Sequence, residues 1–369
     1  MKISDIISYL NEVVPLSLQE DYDNSGLQCG DVNQTATSAL LTIDVTEAIV
    51  DEAVMRGANL IISHHPLIYR PLREVSSETP TGRLILKALR NNITIYSAHT
   101  NLDVAYGGVS WKMAEKLGLT NITPLLASAG SLLKLVTFVT ESYAAVVRDS
   151  LFAAGAGSIG NYDQCSFTTE GTGTFRGGQG ANPFVGNKGE LHKEREVRIE
   201  VVLPMYLKEK IVSALLEIHP YEEVAYDLYQ LDNKSPLTGM GVIGTLKKEV
   251  TRKEFLGKLS LIFNSQMVRH TDIIGGRISR VALCGGSGAS LLGAARSHGA
   301  DAFVTGDIKY HTWFEGSDKL FVADIGHYES EKFTVEIIYD LLIKKFPKFA
   351  LLFSELNTNP INYFHQWKK

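Results

Sequence analysis

Apolar residues fall along this chain in short runs that alternate with amphipathic stretches. Ala39–Ile43 is such a run, and Thr46 then caps a pattern that places Ile49, Ala53 and Val54 on one helical face. Gly57 ends that helix, and Leu60–Ile62 is the next strand. After a loop containing Pro66, Pro71 and Pro80, Leu84–Leu86 and Leu89 predict a helix, and Ile93–Tyr96 a third strand. The rhythm returns at Val281–Cys284, followed by a helix from Ser290 carrying Leu291, Leu292 and Ala295. Ala302–Val304 and Leu320–Ala323 read as further strands. One long helix is expected from about Tyr328 to Lys345, with Val335, Ile338 and Leu342 at helical spacing. Strands alternating with helices imply an α/β fold around a central, mostly parallel sheet with helices on both faces.

The middle of the chain breaks this pattern. Residues 155–189 hold ten of the 32 glycines and show no helical period, so turns and short strands are expected there. On either side lie two similar units. Leu135–Val139 leads into a helix over Ser142–Ala154. Val197–Val201 leads into a helix over Leu207–Ile218, followed by a strand at Val224–Leu231. Two β-α-β units predict a small ferredoxin-like α+β domain over residues 129–240. It would interrupt a discontinuous α/β domain made of residues 1–128 and 241–369.

At 369 residues the chain is long enough for two or three domains at about 150 residues each. The 36 Lys and Arg against 41 Asp and Glu leave a net charge of −5, which argues against nucleic-acid binding through bulk electrostatics. Cys29, Cys165 and Cys284 lie too far apart in sequence for a disulfide framework or a CxxC zinc cage. Asp5 and Glu12 stand where a signal peptide needs an apolar run, and stretches such as 281–295 are too short to span a bilayer. A cytoplasmic protein without membrane partners is the expectation.

Candidate chemistry collects just past the strand ends, where open parallel sheets gather ligands. His64 and His65 follow one strand. His99 follows another, with Asp103 four residues on. His327 follows a third, and Glu331, four residues later, shares its helical face. Imidazoles with carboxylates suit Zn, Mn, Fe or Ni. Gly285, Gly286, Ser287 and Gly288 join a strand to a helix, either as a phosphate-binding turn or as a tight turn alone. Asp23–Gly26 is either a substrate-facing turn or an Asx turn. Asp307 and His311 are candidate acid–base groups. His219–Glu223 reads as a helix-ending turn, and Lys193–Glu196 as a solvated strand entrance.

The chain resembles the NGG-interacting-factor-three (Nif-three-like) family. The resemblance runs through Asp21-Tyr-Asp-Asn-Ser-Gly-Leu-Gln28, Asp44-Val-Thr, Ser63-His-His-Pro-Leu67 and His99-Thr-Asn-Leu-Asp103. It continues through Cys284-Gly-Gly-Ser-Gly288, Thr305-Gly-Asp307 and Gly326-His-Tyr-Glu-Ser-Glu331. It implies two divalent metal ions per subunit, zinc first, held by His64, His65, Asp103, His327 and Glu331. His99, Asp307 and His311 would be neighbours of the ions or of the cavity around them. It further implies a PII/CutA-like insert and a homohexamer built as a trimer of dimers. The implied activity is that of a type 2 GTP cyclohydrolase homologue, in which water attacks the imidazole carbon of guanine and formate leaves. A metal-dependent hydrolase of a nucleotide-like or phosphorylated small molecule is therefore one expectation. A non-catalytic metal store or a regulatory scaffold for protein partners is the other.

Overall fold

Alternate residues of the first strands point to opposite helical layers. Leu40, Ile61 and Ile95 are fully buried against Ile49, Ala53 and Ala88 of the helices Glu47–Met55 and Pro80–Arg90. Their neighbours Ala39, Leu41, Leu60, Ile62 and Tyr96 face the other way, onto the helices Ile3–Val13 and Thr334–Lys345. A strand covered on both faces must be apolar throughout, and these are. The computed structural model describes residues 1–160, 162–272, 276–315 and 320–364.

The chain divides into two compact units, one of residues 1–127 and 237–369, the other of residues 128–236. The larger unit is α/β, but its strands form two sheets rather than one. The first has the order Gly26–Cys29, Thr94–Ser97, Leu60–Ser63, Ser38–Thr42, Ala350–Phe353, and is parallel except at Gly26–Cys29. The second has the order Arg269–His270, Phe321–Asp324, Ala302–Thr305, Arg277–Leu283, Gly239–Thr251, Leu119–Ala127. Only its Arg277–Leu283, Ala302–Thr305 and Phe321–Asp324 strands run parallel. The long Gly239–Thr251 strand pairs antiparallel on both sides, which makes this sheet mixed. Helices Val109–Leu117 and Arg252–Ile262 cover one of its faces through Met113, Phe255 and Leu259.

Local chemistry explains the helix limits. The Thr46 hydroxyl accepts the Ile49 N–H and Thr79 accepts that of Gly82, with Pro80 at the first helical position. Val54 lies 46% exposed, so the buried face of that first helix is Ile49, Val50 and Ala53. The helix expected from Tyr328 to Lys345 is two helices, His327–Glu331 and Thr334–Lys345. At the break, Thr334 Oγ1 donates to the Glu331 carbonyl at 2.6 Å and Lys332 Nζ to the Phe263 carbonyl. The break frees the first turn to follow the site while Ile337, Ile338 and Leu342 fill the core.

The smaller unit runs Leu132–Thr140, helix Glu141–Ala154, Ser166–Phe175, His192–Pro204, helix Lys208–Ile218, Tyr226–Leu231. Its strands form one antiparallel sheet, with Leu132–Thr140 and His192–Pro204 central. Leu135, Val139, Ile199 and Val201 face its two helices. His219 ends the second helix: its Nε2 donates to the Phe138 carbonyl while Nδ1 accepts from Tyr221 N. No helix among the described residues is long and apolar enough to cross a membrane.

In the larger unit one buried carboxylate secures the C-terminal strand. Glu52 accepts hydrogen bonds from Arg56 Nη1 at 2.7 Å, Ser354 Oγ at 2.6 Å and Glu355 N at 2.9 Å. Burial works to raise its pKa, but these donors hold it below the usual carboxylate value. Its contribution is thus present above the unfolded pKa and lost as pH falls through the folded one. Glu52→Gln should cost about 1–3 kcal/mol at neutral pH. Denaturant midpoints of the variant and native protein should converge below pH 4, and a gap independent of pH would contradict the assignment.

Candidate metal centre

Three loops at strand ends build the site. Ser63 closes the Leu60–Ser63 strand, and its hydroxyl bonds the His65 carbonyl at 2.8 Å, turning His64 and His65 out of the sheet. Strand Thr94–Ser97 delivers His99 and the short helix Thr100–Val104 with Asp103. Strand Phe321–Asp324 of the second sheet delivers His327 and Glu331.

All four imidazoles are held through Nδ1. His64 Nδ1 donates to the Ala98 carbonyl at 2.8 Å, and a carbonyl can only accept. His65 Nδ1 meets Asp44 Oδ1 at 2.7 Å, His99 Nδ1 meets Asp23 Oδ1 at 2.6 Å, and His327 Nδ1 meets Asp307 Oδ2 at 2.6 Å. With each Nδ1–H spent, each Nε2 can offer a lone pair to a cation once any proton on it is displaced. The ring centroids of His64, His65 and His99 lie 5.0–5.4 Å apart, and those of His65 and His327 5.2 Å.

Glu331 sits among them. Its Oε2 is 3.0 Å from both His65 Nε2 and His327 Nε2, and its Oε1 is 3.7 Å from His64 Nε2. Asp103 Oδ1 lies 3.8 Å from the same His64 nitrogen. His64 Nε2, Asp103 Oδ1 and Glu331 Oε2 are buried with no hydrogen-bond partner among the described residues. Orphaned buried polar atoms are costly, and here all three are electron-pair donors converging on one space. The set fits a cation. Ligand atoms within 4.8 Å of one another form two groups sharing His65, one with His64 and His99 and one with His327 and Glu331.

The electrostatics diverge across the site. Burial raises the Asp103 pKa, and the Glu331 charge adds to it. Burial presses Glu331 upward too, but His64 and the Nε2 atoms of His327 and His65 hold it well below its ordinary value. Burial alone would lower His65, yet Asp44 and Glu331 on either side hold it up at about 10. His327 is likewise held at about 9 by Glu331 and Asp307 against the effect of burial.

Asp44, Asp23 and Asp324 support the site from behind. Asp44 lies two residues past a strand, so the strand-end rule that found the histidines also points to it. It also accepts from Thr358 Oγ1 at 2.7 Å, and burial notwithstanding its pKa is lowered by His65 and Thr358. Asp23 belongs to the turn weighed above as an Asx turn or a substrate-facing one. It accepts from Ser25 Oγ, Thr100 N and Thr100 Oγ1 as well as from His99. The buried Asp324 accepts from Ile308 N and Gly326 N at 2.9 Å and pairs with Arg269, fixing the loops of Asp307 and His327. His311 is exposed and meets the Tyr310 ring, not the histidine cluster, among the described contacts.

The glycine loop is spent inside the fold. Gly285 N donates to Ser110 Oγ, Gly286 N to Ser330 Oγ and Gly288 N to Thr305 Oγ1. Three of the donors a phosphate would need are therefore engaged. What the loop provides is close approach: a Cβ on Gly286, which has φ +59°, would stand 2.1 Å from Glu331 Oε1. This accounts for the glycine without a phosphate.

The model of the family described as Duf34/NIF3 (NGG1p interacting factor 3) matches residues 1–360 of this chain. The chain belongs to that family. It is 41% identical over 332 residues to a protein of Halalkalibacterium halodurans named GTP cyclohydrolase 1 type 2 homolog, covering 89% of each chain. A Bacillus subtilis protein of the same name is 39% identical over 366 residues, 97% of each. Among solved structures, the Bacillus cereus protein related to NIF3 superposes with a TM-score of 0.87 at 38% identity, covering 99% of both chains. The α/β fold described above is thus that of a Duf34/NIF3 protein.

Two outcomes follow for this member of the family. Gly286→Ala should push Glu331 from its place and weaken divalent-metal binding at least about ten-fold, the scale on which supporting groups act. Unchanged affinity would show that Glu331 moves freely. Second, protons held on His65 and His327 compete with any cation, so affinity should rise with pH from 7 toward 9. Calorimetric titration in buffers of different ionisation enthalpy should register proton release, and none would contradict the assignment.

Proposed function

We propose that this protein is a dinuclear metal-dependent hydrolase of a nucleotide-like or phosphorylated small molecule. One observation carries the proposal: three buried, unpartnered donor atoms face each other among imidazoles whose tautomers are all fixed from behind. His64, His65, Asp103, His327 and Glu331 would hold two divalent ions, zinc first with Fe, Mn or Ni as alternatives. Such ions supply activated water at neutral pH and stabilise the charge that develops on the substrate.

The chain's own groups perform the rest. The Ala98 carbonyl and the Asp44, Asp23 and Asp307 carboxylates hold the four rings in orientation, so little reorganisation is needed when a ligand arrives. Asp307 acts on this reading as the positioning group of His327. On this reading Glu331, held ionised beside three histidines, would serve as a carboxylate ligand, and Asp103, its pKa raised by burial, would give up its proton on binding a cation. The names of the relatives make GTP the first substrate to test.

The test pairs metal content with turnover. Native protein, Asp103→Ala and His327→Ala should be assayed against GTP, other nucleotides and phosphoesters. About two ions per chain and metal-dependent turnover are expected of the native protein, and both should fall in the variants. Turnover that persists after metal is lost would overturn the proposal. Bound metal with no turnover on any substrate would favour a metal store or scaffold. As a check on orientation, Asp44→Ala should lower metal affinity about 10–100-fold while leaving the fold intact.

A further inference from the structure

The smaller unit holds a cavity of about 660 Å³ that the metal chemistry does not use. It lies on the sheet face turned away from the unit's two helices. Leu135, Val139, Ile199 and Val201 point to those helices, so Phe138, Glu196 and Arg198 point the other way by strand alternation. Phe138, Arg198 and Thr169 form one cross-strand row, and Thr140, Glu196 and Gly171 the next. Glycines at 171 and 173 leave the floor of the cavity as bare backbone.

The walls are preformed and aromatic. The Phe184 ring is held edge-on by Tyr143 at 5.6 Å and lies 6.1 Å from Tyr221. Tyr221 is fixed in turn by its hydroxyl, which donates to Glu196 Oε1 at 2.8 Å, and by the His219 ring at 4.9 Å. The Arg198 guanidinium lies 5.9 Å from the centre of the Phe138 ring. Its Nη2 pairs with Glu200, but its Nε is buried and has no hydrogen-bond partner among the described residues. A buried donor without a partner costs free energy that an acceptor on a ligand would recover.

We infer that this cavity is a second ligand site, for a flat, uncharged heteroaromatic molecule of nucleoside size. Its volume lies in the range of small-molecule pockets, and its aromatic walls match the faces of such a ring. The Arg198 Nε–H asks for one acceptor in the ring plane. Glu196, Glu222 and Glu223 outnumber Arg176 and Arg198 around it, which disfavours a phosphate chain. The inference stands on the cavity alone and does not depend on the metal centre.

Ligand-observed saturation-transfer NMR on the full chain, with adenosine, guanosine and uridine as probes, tests this. At least one nucleoside should show transfer, and its triphosphate should compete poorly. A Cβ at Gly171 meets open space, so Gly171→Val projects a branched side chain onto the floor of the cavity without a backbone clash and should diminish the signal. Arg198→Ala should weaken binding about ten-fold or more. Metal content and circular dichroism should be native in both variants. No transfer from any probe at millimolar concentration would overturn the inference, as would transfer undiminished in Gly171→Val, which would place the nucleoside elsewhere. Binding diminished in Gly171→Val but unchanged in Arg198→Ala would overturn the role given to the Arg198 donor.

Discussion

A carboxylate is difficult to bury, and the larger unit of this protein is organised around burying one. Glu331 stands within 3.0 Å of two imidazole nitrogens, with a third at 3.7 Å, and its own Oε2 has no hydrogen bond among the described residues. Left uncompensated, such a group costs several kcal/mol, on the order of the whole net stability of a domain. Without a cation, protons on His65 and His327 provide the compensation, which is why both titrate so high. With a cation, the same atoms would be its ligands. The site is therefore built to be charged from within, and its surroundings follow from that.

Several features of the fold make sense only under this constraint. The glycine at 286 brings backbone against Glu331 where a Cβ would collide with it. The break between the helices His327–Glu331 and Thr334–Lys345 separates a turn that serves the site from one that serves the core. The Asp324 carboxylate, at the end of its strand, fixes both the loop carrying Asp307 and the turn carrying His327. Two sheets meet the same demand from opposite sides. One supplies His64, His65, His99 and Asp103, the other His327 and Glu331, so the centre exists only when residues before and after the smaller unit have folded together.

Much of this is readable from the chain. Uninterrupted apolar runs such as Leu60–Ile62 announce strands covered on both faces, and the strand-end rule brings forward His64, His65, His99 and His327, all of which stand in the cluster. What escapes is what depends on partners distant in sequence. Asp23 reads as a turn residue and Asp44 has no assigned role until their histidines, 76 and 21 positions away, are placed beside them. The antiparallel edge of the second sheet rests on the pairing of Leu119–Ala127 with Gly239–Thr251, more than a hundred residues apart. The Ser166–Phe175 strand is Thr- and Gly-rich and exposed along almost its whole length, so no apolar alternation marks it. The helix break at Lys332 and Phe333 is marked by no Pro or Gly; a local bond from Thr334 Oγ1 to the Glu331 carbonyl and a distant one from Lys332 to Phe263 accompany it.

The central claim is that the converging lone pairs are those of a metal site. Anomalous X-ray diffraction from crystals equilibrated with Mn²⁺ addresses it most directly. The account predicts two peaks about 3.5–4 Å apart. One should be bounded by His64, Asp103 and Glu331, the other by His65, His327 and Glu331, with the four Nδ1 hydrogen bonds unchanged. Peaks elsewhere with this cluster empty, or a Glu331 side chain turned away from all three histidines, would contradict it.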